Sequence, residues 1–273
     1  MTTPAPSPAL APAPAPARVL ASVLAPALAA EWLKLRTLRS TWWTLVATFV
    51  VNVAAGLLYG SAIRANAADY RREDFDPVLM GFAGVSLGQL AVVCLGVMAV
   101  AGEHTTGLVR SSLTAVPNRT AYWTAKVAVL GAATLAVALP TAFATFFVAQ
   151  TAMGGELNAS LGDPGALRAV FGFALHLTLL CLVSAGVAAV LRSTIASLAV
   201  LVPLFFVIGD VLGTLPGIAE AGRFLPHLAG SRLMATVPFD RIGYGPLTGL
   251  AVFLAWTAVA VAAGLVALRR RDA

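Results

Sequence analysis

Six apolar stretches, at residues 41–63, 79–101, 121–151, 167–191, 194–215 and 246–268, constrain this chain more than anything else in it. A helix needs about 20 residues to cross the roughly 30 Å of hydrocarbon in a bilayer. Each stretch reaches that length, and the third is long enough to begin outside the membrane or to tilt. Only 11% of the 273 residues are charged, against 59% hydrophobic. A soluble domain carries about a quarter charged residues. The chain is therefore predicted to be an all-α polytopic membrane protein with six transmembrane helices. Pro140 and Pro203 fall inside the third and fifth spans, where each frees a carbonyl and predicts a kink. Only Arg192 and Ser193 separate the fourth and fifth spans, which predicts a tight hairpin.

Charge sets the orientation. With both termini in the cytoplasm, 11 of the 18 Lys and Arg lie inside and 7 outside, the sense of the positive-inside rule. The Lys34, Arg36 and Arg39 cluster before the first span and the Arg269–Arg271 run after the last both favour the inside. An even span count satisfies both. The net charge of +6 follows from this insertion bias and implies no nucleic-acid partner. Cys94 and Cys181 both fall in apolar spans and read as packing residues. No His, Cys or carboxylate cluster predicts a metal site.

Residues 1–29 are rich in Pro and Ala, with prolines at 4, 6, 8, 12, 14, 16 and 26. Alternating proline opposes a helix, so this segment is expected to be a disordered cytoplasmic tail ahead of a six-span domain at 30–273. Residues 19–30 superficially resemble a signal-peptide core. Cleavage there would leave Lys34, Arg36 and Arg39 on the far side of the membrane, against the charge bias. Outside, residues 216–245 mix prolines with Phe224, Leu225, Leu228, Leu233 and Met234. Such a half-apolar segment suits a dip into the membrane, a cap on its outer face or a surface loop.

The loop GEHTTGLVRSSLTAVPNR at 102–119 is the main cytoplasmic connection. Taken as a helix continuing from the second span, Glu103, Gly107, Arg110 and Thr114 fall on one stripe at i, i+4, i+7 and i+11. Leu108, Val109, Leu113 and Val116 occupy the other half, and Pro117 stops the helix. The spacing predicts an amphipathic helix at the membrane surface. It fits equally a plain connector whose charges stay wet.

The order Glu103, Gly107, Leu113, Pro117, Arg119 and Lys126 resembles the signature after the second span in permease subunits of type-2 ATP-binding-cassette exporters. The segment AEWLKLRTLRSTWWTL at 30–45 resembles the start of many bacterial permeases of this family. Pro117-x-Arg119 is one residue tighter than the family form. The resemblance implies the membrane half of an exporter in the bacterial cytoplasmic membrane. Its partners would be a separate ATP-binding subunit, a second permease copy or paralogue, and the lipid bilayer. ATP and Mg would sit on the partner, since this chain has no GxxxxGK[ST] phosphate loop and is not expected to be an enzyme. By the same resemblance the helix after span two is a coupling helix, with Glu103, Gly107, Arg110 and Thr114 at or near the ATPase contact. Gly107 would permit close approach there. The segment carrying Glu31, Lys34, Arg36 and Arg39 would be an interfacial helix, although its charged and apolar residues interleave on a helical wheel.

Asp210 is the one carboxylate within a span and His176 lies inside the fourth. Both are candidates for a pathway or gating role, and both also suit helix–helix hydrogen bonds. An ion- or proton-coupled secondary transporter is the alternative function. A membrane-embedded enzyme is disfavoured, because Asp210 and His176 sit on different spans without paired acids or histidines.

Overall fold

The computed structural model describes residues 16–70, 75–155, 157–208, 222, 224–237 and 244–270. Among them the chain forms helices and no strand. In order these are α1 (Pro16–Thr37), α2 (Arg39–Ala65), α3 (Pro77–Gly81), α4 (Val85–Thr106), α5 (Leu108–Ala115), α6 (Arg119–Met153), α7 (Ala166–Leu191), α8 (Thr194–Pro203), α9 (Pro226–Ser231) and α10 (Pro246–Arg270). Five of them, α2, α4, α6, α7 and α10, are long and apolar enough to cross a membrane. The expected fifth span begins as α8 and passes at Pro203 into a π-helical turn, Leu204–Ile208. Proline cannot donate the i→i−4 bond, and the wider turn follows directly. The remainder of that span, including Asp210, lies outside the described residues, as do residues 1–15 of the tail.

The layers are built around α7, whose most apolar window is 72% buried, against 22% for α10 at the periphery. α4, α6 and α10 pack on α7, α2 packs on α4 and α6, and α1 lies along α6. Close approach comes from missing side chains. A Cβ on Gly96 would stand 2.3 Å from the Cys181 carbonyl oxygen, and one on Gly186 2.4 Å from that of Ala260. Backbones meeting this closely gain dispersion contacts, the main attraction between helices once both are in lipid. The outward faces carry Leu58, Ile195, Val200, Leu247 and Val259, all exposed. Such a surface suits contact with hydrocarbon or with another protein.

Two boundaries differ from those expected of the sequence. Helix α1 starts at Pro16, so residues 16–29 are helical, contrary to the disordered tail expected to residue 29. The tight proline alternation ends at Pro16, and proline is well tolerated in a first helical turn. The second span does not begin as one helix at residue 79. Asp76 caps the short α3, its Oδ1 accepting from the Val78 and Leu79 amides at 3.1 and 2.9 Å, and the chain turns before α4 begins at Val85. Every residue from 77 to 85 is apolar or Gly, so hydropathy cannot reveal that turn. The helix of span two does continue beyond the span, as expected, with α4 running through Glu103 to Thr106.

The tight hairpin is present as expected. Arg192 turns the chain with φ 55°, and Ser193 Oγ caps α8 by accepting from the Ala196 amide. At the same end of the molecule as Asp76, α9 packs between α7 and α10. It buries Ala229, with Leu233 and Met234 just after it. Arg168 donates to the Leu233 and Ala235 carbonyls at 2.9 and 2.7 Å, and Asp76 accepts from Thr236 Oγ1 and the Val237 amide. The described part of 216–245 is packed against α7 and α10 and is not a plain surface loop.

Replacing Gly96 with Val should force α4 from α7 and cost about 1–3 kcal/mol, the usual penalty of overpacking. Gly102 has nothing within 4 Å of its missing Cβ, so Gly102→Ala should leave stability unchanged or raise it slightly. Thermal midpoints of the purified variants in detergent check both; equal losses at the two sites would contradict this packing.

Candidate functional site

Helix α1 reaches the bundle with two of its charged residues inward. Ala27, Glu31, Lys34 and Leu35 follow i, i+4, i+7 and i+8 and face α6. Glu31 is 5% exposed, whereas Trp32 and Leu33 on the other face are 52% and 57% exposed. Glu31 and Lys34 thus face protein beside the apolar Ala27 and Leu35, while Arg36 stays exposed with Trp32 and Leu33, so charged and apolar residues share both faces.

Those two inward ions meet partners from three other helices. Lys126 lies one helical turn after Tyr122 on α6, and Glu103 sits in the last turn of α4. Lys126 Nζ bridges Glu31 Oε2 at 2.6 Å and Glu103 Oε1 at 2.8 Å. Lys34 Nζ bridges the same two acids, at 2.6 Å to Glu31 Oε1 and 3.1 Å to Glu103 Oε1. The Tyr122 hydroxyl donates to Glu103 Oε2 at 2.6 Å. Both ammonium groups lie over the Tyr122 ring, 5.4 and 5.2 Å from its centre. Lys34 also donates to Ser112 Oγ on α5 at 2.8 Å. Two cations and two anions form a closed, neutral group that ties α1, α4, α5 and α6 at one point.

Beyond this group the chain turns. Gly107 ends α4 with φ 75°, a left-handed conformation that residues with a Cβ adopt at a cost. The expected continuous helix from span two is therefore broken, and its four-residue stripe is divided. Glu103 is buried among the ions, while Arg110 and Thr114 are exposed on the separate α5. Within this chain nothing lies within 4 Å of the missing Gly107 Cβ, and its backbone angle by itself favours a glycine there. The apolar half of the loop packs as expected through Val109, Leu113 and Val116, but Leu108 is exposed.

The following turn is also fixed by polar atoms. Asn118 Oδ1 caps α6 by accepting from the Thr120 and Ala121 amides. Arg119 Nη1 donates to the Leu268 carbonyl at 2.6 Å, and Arg192 Nη2 to that of Ala267 at 3.3 Å. Two guanidiniums thus satisfy carbonyls in the last turn of α10, where positive charge is favoured. Sequence reasoning named Lys126 only as a motif residue and missed Tyr122 and Ser112. The available signal was the cost of a Lys beside an apolar run, which demands a buried partner.

The remaining candidates do not join this site. His176 is buried between α7 and α4 with Nε2 3.4 Å from Gln89 Oε1, and its ring lies 5.5 Å from that of Phe253. That arrangement is the helix–helix contact that was one reading of it. Arg36 and Arg39 are exposed where α1 meets α2.

Breaking a buried pair from one side leaves an uncompensated charge and costs roughly 3–5 kcal/mol. Lys126→Met should therefore destabilise strongly, because Lys126 is 4% exposed and contacts both acids. Lys34 has a quarter of its side chain in solvent, so Lys34→Met should cost markedly less. Adding Glu103→Gln to Lys126→Met should recover part of the loss. Chemical denaturation of the three variants in detergent tests this order, and a Lys34 penalty equal to that of Lys126 would contradict it.

No curated protein matches the sequence. The family model described as "ABC-2 family transporter protein" matches residues 27–210, a range that contains α2 to α8, the end of α1 and every ion of the group. The chain belongs to this family: it is a multi-pass membrane component of an ABC-type transporter, and such components work with an ATP-binding partner.

Proposed function

We propose that the chain is the membrane-spanning subunit of an ATP-driven exporter in a bacterial plasma membrane, with both termini in the cytoplasm. It forms the translocation pathway with a second permease, either another copy or a paralogue. Hydrolysis takes place on a separate ATPase subunit, which docks on α5. The observation that carries this reading is the Lys34–Ser112 hydrogen bond of 2.8 Å. It joins the back of an exposed surface helix to a buried charge group shared by three other helices.

The arrangement suits force transfer. Helix α5 is short, has Gly107 at one end and Pro117 soon after the other, and offers Arg110 and Thr114 to a partner. A charged or hydroxyl group on the ATPase can hydrogen-bond to these two residues. Closure of the ATPase subunits on ATP would push α5. Because the ions cannot separate without exposing bare charge to a low dielectric, α1, α4 and α6 follow the push. The permease then moves between inward- and outward-facing states. Glu103 acts inside this linkage and does not touch the ATPase.

Reconstitution with the cognate ATPase separates docking from transmission. Arg110→Glu combined with Thr114→Glu should abolish copurification of the two subunits while leaving the permease inserted. Ser112→Ala removes one hydrogen bond to a charged group, worth about 1.5–3 kcal/mol. It should preserve copurification yet reduce transport per ATP hydrolysed by roughly tenfold. Wild-type coupling in both variants, or labelling of a thiol at residue 114 from outside intact cells, would remove the basis of the proposal.

A further inference from the structure

A second feature lies on the lipid side of α1, away from the ion group. Between α1, α2 and α6 runs an open, largely apolar groove of about 360 Å³, within the roughly 300–1,000 Å³ typical of small-molecule sites. Trp32, Arg36 and Trp42 line it near the α1–α2 corner, and Leu45, Ala136 and Val137 line it further along. Ala136 lies ten residues beyond Lys126 on α6, about 15 Å at helical rise. The groove thus runs from the level of the ions into the apolar bundle.

The corner itself is fixed. The Trp42 indole donates to the Arg36 carbonyl at 3.0 Å, closing the connection at Leu38. Around it Trp32, Trp42 and Trp43 are 52%, 58% and 72% exposed, as suits rings in a membrane interface. Two cations stand in this aromatic border. Arg36 and Arg39 are exposed, and among the described residues neither guanidinium has an ion pair or a side-chain hydrogen bond. A guanidinium at the mouth of an apolar channel matches a molecule with an anionic phosphate at one end and hydrocarbon at the other.

We infer that this groove is a binding site for an anionic phospholipid from the leaflet in which α1 lies. The phosphate pairs with Arg36 and Arg39, and one acyl chain runs along Leu45, Ala136 and Val137. The site depends on the membrane setting of the chain and holds whether or not α5 docks an ATPase. Lipid held there would set the height of α1, and so of Glu31 and Lys34 on its opposite face.

The test uses the full chain in phosphatidylcholine vesicles and its tryptophan fluorescence. A small fraction of phosphatidylglycerol with brominated acyl chains should quench at a lower mole fraction than brominated phosphatidylcholine does. Trp32→Phe combined with Trp42→Phe, which removes both groove tryptophans, should remove most of the difference. An arginine near an anionic surface is worth about a fivefold change in affinity, so Arg36→Gln and Arg39→Gln should each shift half-quenching about fivefold. Ala136→Phe narrows the groove from an exposed position and should weaken quenching by the anionic lipid. Inorganic phosphate should not compete. Equal quenching by the two lipids, a preference that survives the double arginine variant, or competition by free phosphate would overturn the site. Absence of local quenching by either lipid, as when a second copy of the chain covers this face, would overturn it too. Elution profiles matching wild type confirm that the variants are folded.

Discussion

Two lysines and two glutamates, all but one nearly withdrawn from solvent, decide how the rest of one end of this protein must be built. Moving a charge from water into a protein interior costs several kcal/mol even after relaxation. Each of these ions is tolerated because both oppositely charged neighbours are within 3.1 Å. The four side chains come from three helices, so the group forms only when α1, α4 and α6 are all in register. Tyr122 closes the remaining acceptor on Glu103 and places its ring under both ammonium groups. The result is neutral as a whole and intolerant of any partial opening. Helices joined by such a group move together or not at all.

Short links surround this rigid centre. α1 passes to α2 at Leu38, α4 to α5 at Gly107, and α5 to α6 through Val116, Pro117 and Asn118. Each is only one to three residues long, and each is fixed by local chemistry: an indole–carbonyl bond, a left-handed glycine, an asparagine cap. The tie of α5 to the ions is a single hydrogen bond from Lys34, the most solvent-accessible member of the group. The linkage is thus weakest at the surface helix and strongest at the buried ions, a gradient suited to receiving a push at one place and spreading it over three helices.

Much of this was legible in the sequence, and the failures have physical causes. The long apolar runs gave α2, α6, α7 and α10 to within two or three residues, because twenty apolar residues leave hydropathy little room for error. The Arg192–Ser193 hairpin was equally plain. The α3–α4 turn was hidden because every residue around it is apolar or Gly, so neither face nor period changes there. In α1 the departure from expectation was residues 16–29, because the proline alternation that opposes a helix ends at Pro16 and a proline fits a first helical turn. The left-handed backbone at Gly107 was hidden as well, because sequence alone does not distinguish a glycine needed for its angle from one needed for close approach. Lys126 stood in the motif, but its partner Glu31 is 95 residues distant, and only the fold brings them together.

The opposite end of the bundle is held by different means, and the contrast bears on how movement could cross the membrane. There Asp76 and Arg168 each bond to groups of residues 233–237, the first accepting from amides and a hydroxyl, the second donating to carbonyls. These contacts hang α9 and its flanks on α7 and on the turn before α4. Between the two ends α4 and α7 meet without side-chain slack, since Gly96 lies directly against the Cys181 carbonyl. Close-packed interfaces of this kind repack between discrete arrangements and do not stretch. A shift of α4 imposed through Glu103 must therefore either carry α7 with it or slide the Gly96 contact by a full step. The first response moves the α9 insert through Arg168 on α7 and the second through Asp76 just ahead of α4, so the ions at one end and the insert at the other are bound to the same two helices.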